Sequence, residues 1–225
     1  MNISAQAPLH LLHRSPVGTL ATHSREPQGF PYPTLLPFAP DERHRPVILV
    51  SRLAEHTRNL EADSRAGFLV GHTQGDEDVL SGERVTIIGR FTSIEPEPAL
   101  VRRYLRYHPE AERYLALGDF SFRVMQLERL RYIGGFGAMG WIEGSELDML
   151  EPLAEQDELA ALDYFARHPD RPADVELVGV DRFGADLRRG MARFRCMFEA
   201  PQADVTELLH SLGDCIVRHA DWHFG

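Results

Sequence analysis

A cluster of polar side chains at 51–59, Ser51, Arg52, His56, Thr57, Arg58 and Asn59, has the composition of an anion seat. The apolar run Val47-Ile48-Leu49-Val50 before it reads as a strand. Glu55 to Ala62 reads as a short helix, and Ala66 to Gly71 as the next strand. A helix start presents unpaired N–H groups and the positive end of its dipole. Hydroxyls, an imidazole and a guanidinium at that point suit a phosphate group. The alternative is an ordinary capped helix, with Ser51 or Thr57 hydrogen-bonded to its own backbone.

Other residues with chemical potential are scattered. Of eleven histidines, His219 and His223 stand four apart in the tail, and no HExxH is present. They share a helical face if the tail is helical, and would then suit a haem or a metal; the alternative is a frayed end. Glycines at 134, 135, 137 and 140 do not make GxGxxG. They would let the backbone, with Gly135 and Phe136, approach a flat ligand, or they form a tight turn with Trp141 as core or interface. Cys196 and Cys215 lack CxxC spacing, which argues against a zinc site and against a disulfide framework, and Cys196 reads as a core thiol. Every cationic side chain apart from histidine is arginine. Without lysine there is no Schiff base and no P-loop. No nucleophile motif or carboxylate pair stands out, so a bound cofactor carrying the chemistry is the economical reading.

Elements of the right kind surround these residues. At 225 residues the chain suits one large or two small domains. Val17 to His23, the proline-bearing Phe30 to Phe38, Arg84 to Ile94, Asp119 to Leu127 and Leu130 to Ile133 read as further strands. Helical segments fall at Ala5 to His13, Ala99 to Tyr107 and Pro109 to Leu117. This spacing favours a barrel over a βαβ sheet. Near Glu143 to Glu146 the character changes to helix, strand Val175 to Val180, a turn, strand Met191 to Phe198 and helix. The expectation is α+β: a barrel domain over 1–145 and a small α-β-β-α domain over 146–225. A net charge of -10 argues against nucleic acid and anionic membranes. No apolar run approaches membrane-span length, and the start lacks the features of a leader, so a reduced, cytoplasmic protein is expected.

Three segments together resemble the pyridoxamine-phosphate-oxidase-like split-barrel family: Val17 to Thr22, Ser51 to Leu60 and Arg84 to Gly89. The segment Tyr132 to Gly137, YIGGFG, and the run Val178 to Asp181 followed by Asp186-Leu187-Arg188 are similar to the branch described as haem-utilisation proteins. The resemblance implies a homodimer of split barrels with cofactor sites at the interface. It implies FMN as cofactor, with Ser51, Arg52, His56, Thr57 and Asn59 at the phosphate and Arg84, Gly135 and Phe136 at the flavin ring. The implied activity is oxidoreduction of a small molecule. The haem alternative implies iron ligation by His219 or His223, with haem binding or breakdown as the function. A non-enzymatic binding module is the third reading. No resident metal is expected otherwise.

Overall fold

The structure is a computed structural model, and it describes residues 4–72, 80, 82–135 and 138–218. Phe136, His219 and His223 lie outside them. The chain divides into two compact units, residues 1–149 and 150–225.

In the first unit, helix α1 (Gln6–Arg14) buries Leu9, Leu11 and Leu12. Strands β1 (Val17–His23), β2 (Pro31–Pro37), β3 (Ala39–Pro40) and β4 (Pro46–Ser51) follow, then α2 (Glu55–Ala62) and β5 (Arg65–His72). Next come β6 (Glu83–Ser93), α3 (Pro98–Tyr107), α4 (Glu112–Leu115), β7 (Phe120–Ile133) and β8 (Met139–Glu143). Strands β1 to β8 form one antiparallel sheet in the order β2-β1-β5-β6-β7-β4-β3, with β8 also paired to β7. The sheet curls until β2 returns against β4, as in a half-open barrel. Prolines at 31, 33 and 37 remove ladder donors, and β2 accordingly lies at the sheet edge.

Alternation along β6 sets the two faces. Val85, Ile87 and Phe91 point inward, while Thr86, Ile88 and Arg90 are exposed. Phe38, Phe68 and Phe91 meet edge to face in the interior, with ring centroids 5.2 and 5.7 Å apart. Where the register of β6 on β7 shifts, Gly89 passes so close to β7 that a Cβ would stand 2.1 Å from the Gln126 carbonyl oxygen. Two segments expected as separate strands, 119–127 and 130–133, are thus one bulged strand of 14 residues.

The second unit holds α5 (Glu155–Arg167), β9 (Glu176–Asp181), β10 (Gly184–Arg189), β11 (Ala192–Met197) and α6 (Val205–Arg218). Its sheet runs β11-β10-β9. The expected α-β-β-α order is corrected to α-β-β-β-α by β10. That strand escapes pattern reading because its buried centre includes a charge, Asp186. Arg195 on β11 satisfies it at 2.6 Å and also bonds both carboxylate oxygens of Asp181, at 2.7 and 2.8 Å. Paired in this way, the charges are tolerated at full burial.

The reading of Cys196 and Cys215 as thiols is also corrected: they form a disulfide between β11 and α6. They are 19 residues apart with no motif between, and only the docking of α6 on the sheet brings their Cα atoms to 6.4 Å. Closing such a loop is worth about 2–4 kcal/mol. Reductant should therefore lower the thermal midpoint of the native protein, and leave that of a Cys196→Ser, Cys215→Ser variant unmoved. Differential scanning calorimetry with and without reductant measures both.

Candidate functional site

Strand β4 ends at Ser51, and a short turn leads into α2. The turn is tied to the start of β7. Ser51 Oγ donates to Asp119 Oδ2 at 2.6 Å and accepts from the Leu53 N–H at 3.1 Å. Arg52 donates from its backbone to the Asp119 carbonyl at 2.9 Å and from Nη2 to the Gly118 carbonyl at 2.8 Å. Thr57 Oγ1 donates back to the Ser51 carbonyl at 2.7 Å. Asn59 joins α2 to β1: its Nδ2 donates to Thr22 Oγ1 at 3.1 Å, and its Oδ1 accepts from the Arg25 N–H at 3.3 Å.

Thr57 and Asn59 are 0% exposed. In the single chain both side chains are bonded to their own unit and do not face solvent. The type and spacing of these residues were visible in the sequence, but whether a hydroxyl faces out or back depends on the strand beside it. Ser51 is also committed, and the Asp119 carboxylate beside it repels an anion.

The remaining polar residues of this end are more open. Arg52 is exposed, and so is Arg58. His56 is half-buried, and burial, followed by the nearby Arg123 charge, holds its pKa below the ordinary histidine value. Arg123 on β7 and Glu61 on α2 complete this group, with Arg123 Nη2 3.5 Å from Glu61 Oε1. Pattern reading missed Arg123, because a charge inside an apolar strand carries no local signal of what lies across from it.

Arg84 and Gly135 are elsewhere. Arg84 pairs with Ile133 at the far end of β7, and its Nη1 donates to the Leu80 and Gly82 carbonyls at 3.3 and 3.1 Å. Gly135 takes φ 97° in the turn between β7 and β8, where Gly134 donates to the Ala138 carbonyl at 2.7 Å. Tyr132 donates to Glu83 there, which also pairs with Arg14; burial first, then Glu83, raises the phenol well above its usual pKa. Ser51 pairs with Phe120 at one end of β7, and Arg84 pairs with Ile133 at the other. At about 3.3 Å per residue, roughly 40 Å of strand separates them. One chain therefore does not bring the two halves of the expected site together.

Sequence reasoning also missed a buried chain in the first unit. His44 Nε2 lies 3.0 Å from Asp148 Oδ2, and His44 Nδ1 lies 2.8 Å from His13 Nε2.

Comparison with known proteins fits this architecture. Residues 4–148 match the family described as CREG, beta-barrel. The chloroplastic non-canonical heme oxygenase HOZ of Arabidopsis thaliana is 34% identical over 127 residues, which is 56% of this chain and 38% of that protein. The chain thus spans well under half the length of that curated relative. A protein of unknown function from Agrobacterium tumefaciens shares the fold at 20% identity and TM-score 0.77, over 93% of this chain and 94% of that one. A heme binding protein from Mycobacterium smegmatis is 28% identical at TM-score 0.61, over 99% of this chain and 100% of that one. No described helix is long and apolar enough to cross a membrane.

Replacing Thr57 by Val and Asn59 by Leu should destabilise the ligand-free protein by about 2–4 kcal/mol, because buried partners at Ser51, Thr22 and Arg25 lose their bonds. The affinity of the folded fraction for FMN or haem should stay unchanged. Urea unfolding and spectral titration on the same variant check the pair of outcomes.

Proposed function

Because the chain belongs to the CREG beta-barrel family, we propose that it binds haem at a site completed by a second copy of itself. The separation along β7 carries the reading. A ligand touching both the Ser51–His56 end and the Arg84–Gly135 end needs those ends from different chains.

The outer face of the sheet has the character of a dimer surface. In register across six strands stand Leu35, Thr19, Leu69, Thr86, Arg131 and Trp141. Leu35 is 68% exposed and Leu69 43%, with Ile88 and Val17 close by on the same face. At about 4.8 Å per strand this rung is roughly 24 Å wide, ample for an interface core.

Haem is planar, mostly apolar and carries two carboxylate arms. The rim of the face fits such a group. The half-exposed indole of Trp141 lies 4.5 Å from the Arg129 guanidinium carbon and 5.7 Å from that of Arg131. An aromatic plane beside arginines suits a macrocycle edge and its carboxylates. The names of the Mycobacterium smegmatis and Arabidopsis thaliana relatives support the same choice. FMN is the alternative on the same fold, although the Thr57 and Asn59 side chains are buried and bonded within the chain. Oxidation or breakdown of the bound group would be chemistry supplied by the cofactor itself, with the protein positioning it.

The purified chain should be a dimer by light scattering and develop a Soret band on haem titration. Leu69→Arg, a charge placed on the exposed rung, should give a folded monomer by circular dichroism with haem affinity reduced by about tenfold or more, as a half-site loses several contacts. A monomeric native protein, or one that stays colourless with haem and turns yellow only with FMN, would sink the haem-dimer reading.

A further inference from the structure

The two ends of α6 are held by different means. At its start the anchoring is polar and dense. Asp204 Oδ1 accepts from the Thr206 and Glu207 N–H groups at 2.8 and 3.0 Å. Glu207 Oε2 accepts from the Ala203 N–H at 2.9 Å, and Ser211 Oγ donates to Gln202 Oε1 at 2.9 Å. Arg182, in the turn between β9 and β10, donates to the Gln202 and Ala203 carbonyls at 2.7 and 2.8 Å. These bonds cap the helix and tie its first turn to the sheet.

The last turn is held otherwise. Among the described residues, the one polar side-chain contact of 215–218 outside the helix is Arg218 with Glu199, 3.8 Å apart on side chains that are 51% and 91% exposed. Water screens such a pair. Val217 is exposed. What fixes this end is the fully buried Ile216 and the disulfide from Cys215 to Cys196 on β11.

The bond is placed so that it can open without unfolding the unit. Cys196 and Cys215 lie in one apolar core with Phe165, Leu187, Leu208 and Leu212. A thiol in such surroundings packs as a small hydrophobe, so the reduced side chains suit the same positions. β11 is the outer strand of its sheet, and Cys196 is the more open partner, 6% exposed against 0% for Cys215. A reductant therefore has an approach from the sheet edge.

We propose that the Cys196–Cys215 bond is a redox-operated latch on the last turn of α6: closed, it fixes the helix end to β11; open, it frees that end while the rest of the second unit stays folded. The reductant is a soluble dithiol. The Sγ–Sγ bond breaks, the dithiol gives up two electrons and two protons and closes to its own disulfide, and Cys196 and Cys215 are left as thiols. The latch lies within the second unit and does not rest on the haem reading.

Amide hydrogen exchange on the native protein tests it, measured before dithiothreitol, after it, and again after reoxidation. Alkylation in denaturant at each stage should count no free thiol, then two, then none. Reduction should speed exchange over residues 213–218 by about tenfold or more and over 205–210 by less than about twofold. Far-UV circular dichroism should keep its folded form, and reoxidation should restore the slow rates. Equal acceleration at both ends of α6 would mean that the bond merely staples the whole unit, and would overturn the latch. So would unfolding on reduction, unchanged exchange at 213–218 once two thiols are counted, a bond that resists dithiothreitol in the folded protein, or rates that stay fast after reoxidation.

Discussion

The backbone ladder of β7 is the constraint from which the first unit follows. One edge of this strand pairs with β6 along nearly its whole length. The other edge is divided: β4 holds residues 120–124 and β8 holds 129–133. Two strands leaving one edge in this way split the sheet into wings, and the curl of the wings makes the half-barrel. Between them the backbone is pressed from two sides. Gly89 and Gly144 both approach so closely that a Cβ would stand 2.1 Å from a β7 carbonyl oxygen, of Gln126 and Leu127 respectively. The bulge that results lets a single strand serve both wings.

This arrangement has a direct chemical effect. The polar turn after β4 and the glycine turn after β7 flank the same strand, and they lie at its opposite ends. Rigid pairing between them prevents one chain from closing a common site. The same pairing sets Leu35, Leu69 and Trp141 in register on the outer face, so surface and separation have one origin.

Many residues with chemical potential are used for structure. Thr57 and Asn59 fasten α2 to β4 and β1. Asp181 and Asp186 share the Arg195 guanidinium inside the second unit. His13, His44 and Asp148 form a buried polar run. Buried polar groups are costly unless paired, so packing recruits partners for each. Arg123 Nε, a buried donor with no hydrogen-bond partner, departs from that rule.

The sequence alone determined the strands whose faces differ: β1, β5 and β6 show alternation, and the prolines of β2 marked an edge. It determined that lysine chemistry is absent and that a family resemblance runs through 17–22, 51–60 and 84–89. These are local properties, readable because period, propensity and motif act over a few residues. Tertiary structure decided the rest. It joined 119–127 and 130–133 into one strand, because a bulge is set by the neighbour's backbone. It revealed β10, whose central charge is balanced by an arginine on the next strand. It paired Cys196 with Cys215 by docking a helix on a sheet. It turned Thr57 and Asn59 inward and left Arg123 undermatched beneath α2, since what a side chain faces depends on the strand or helix packed across from it and not on its neighbours in the chain.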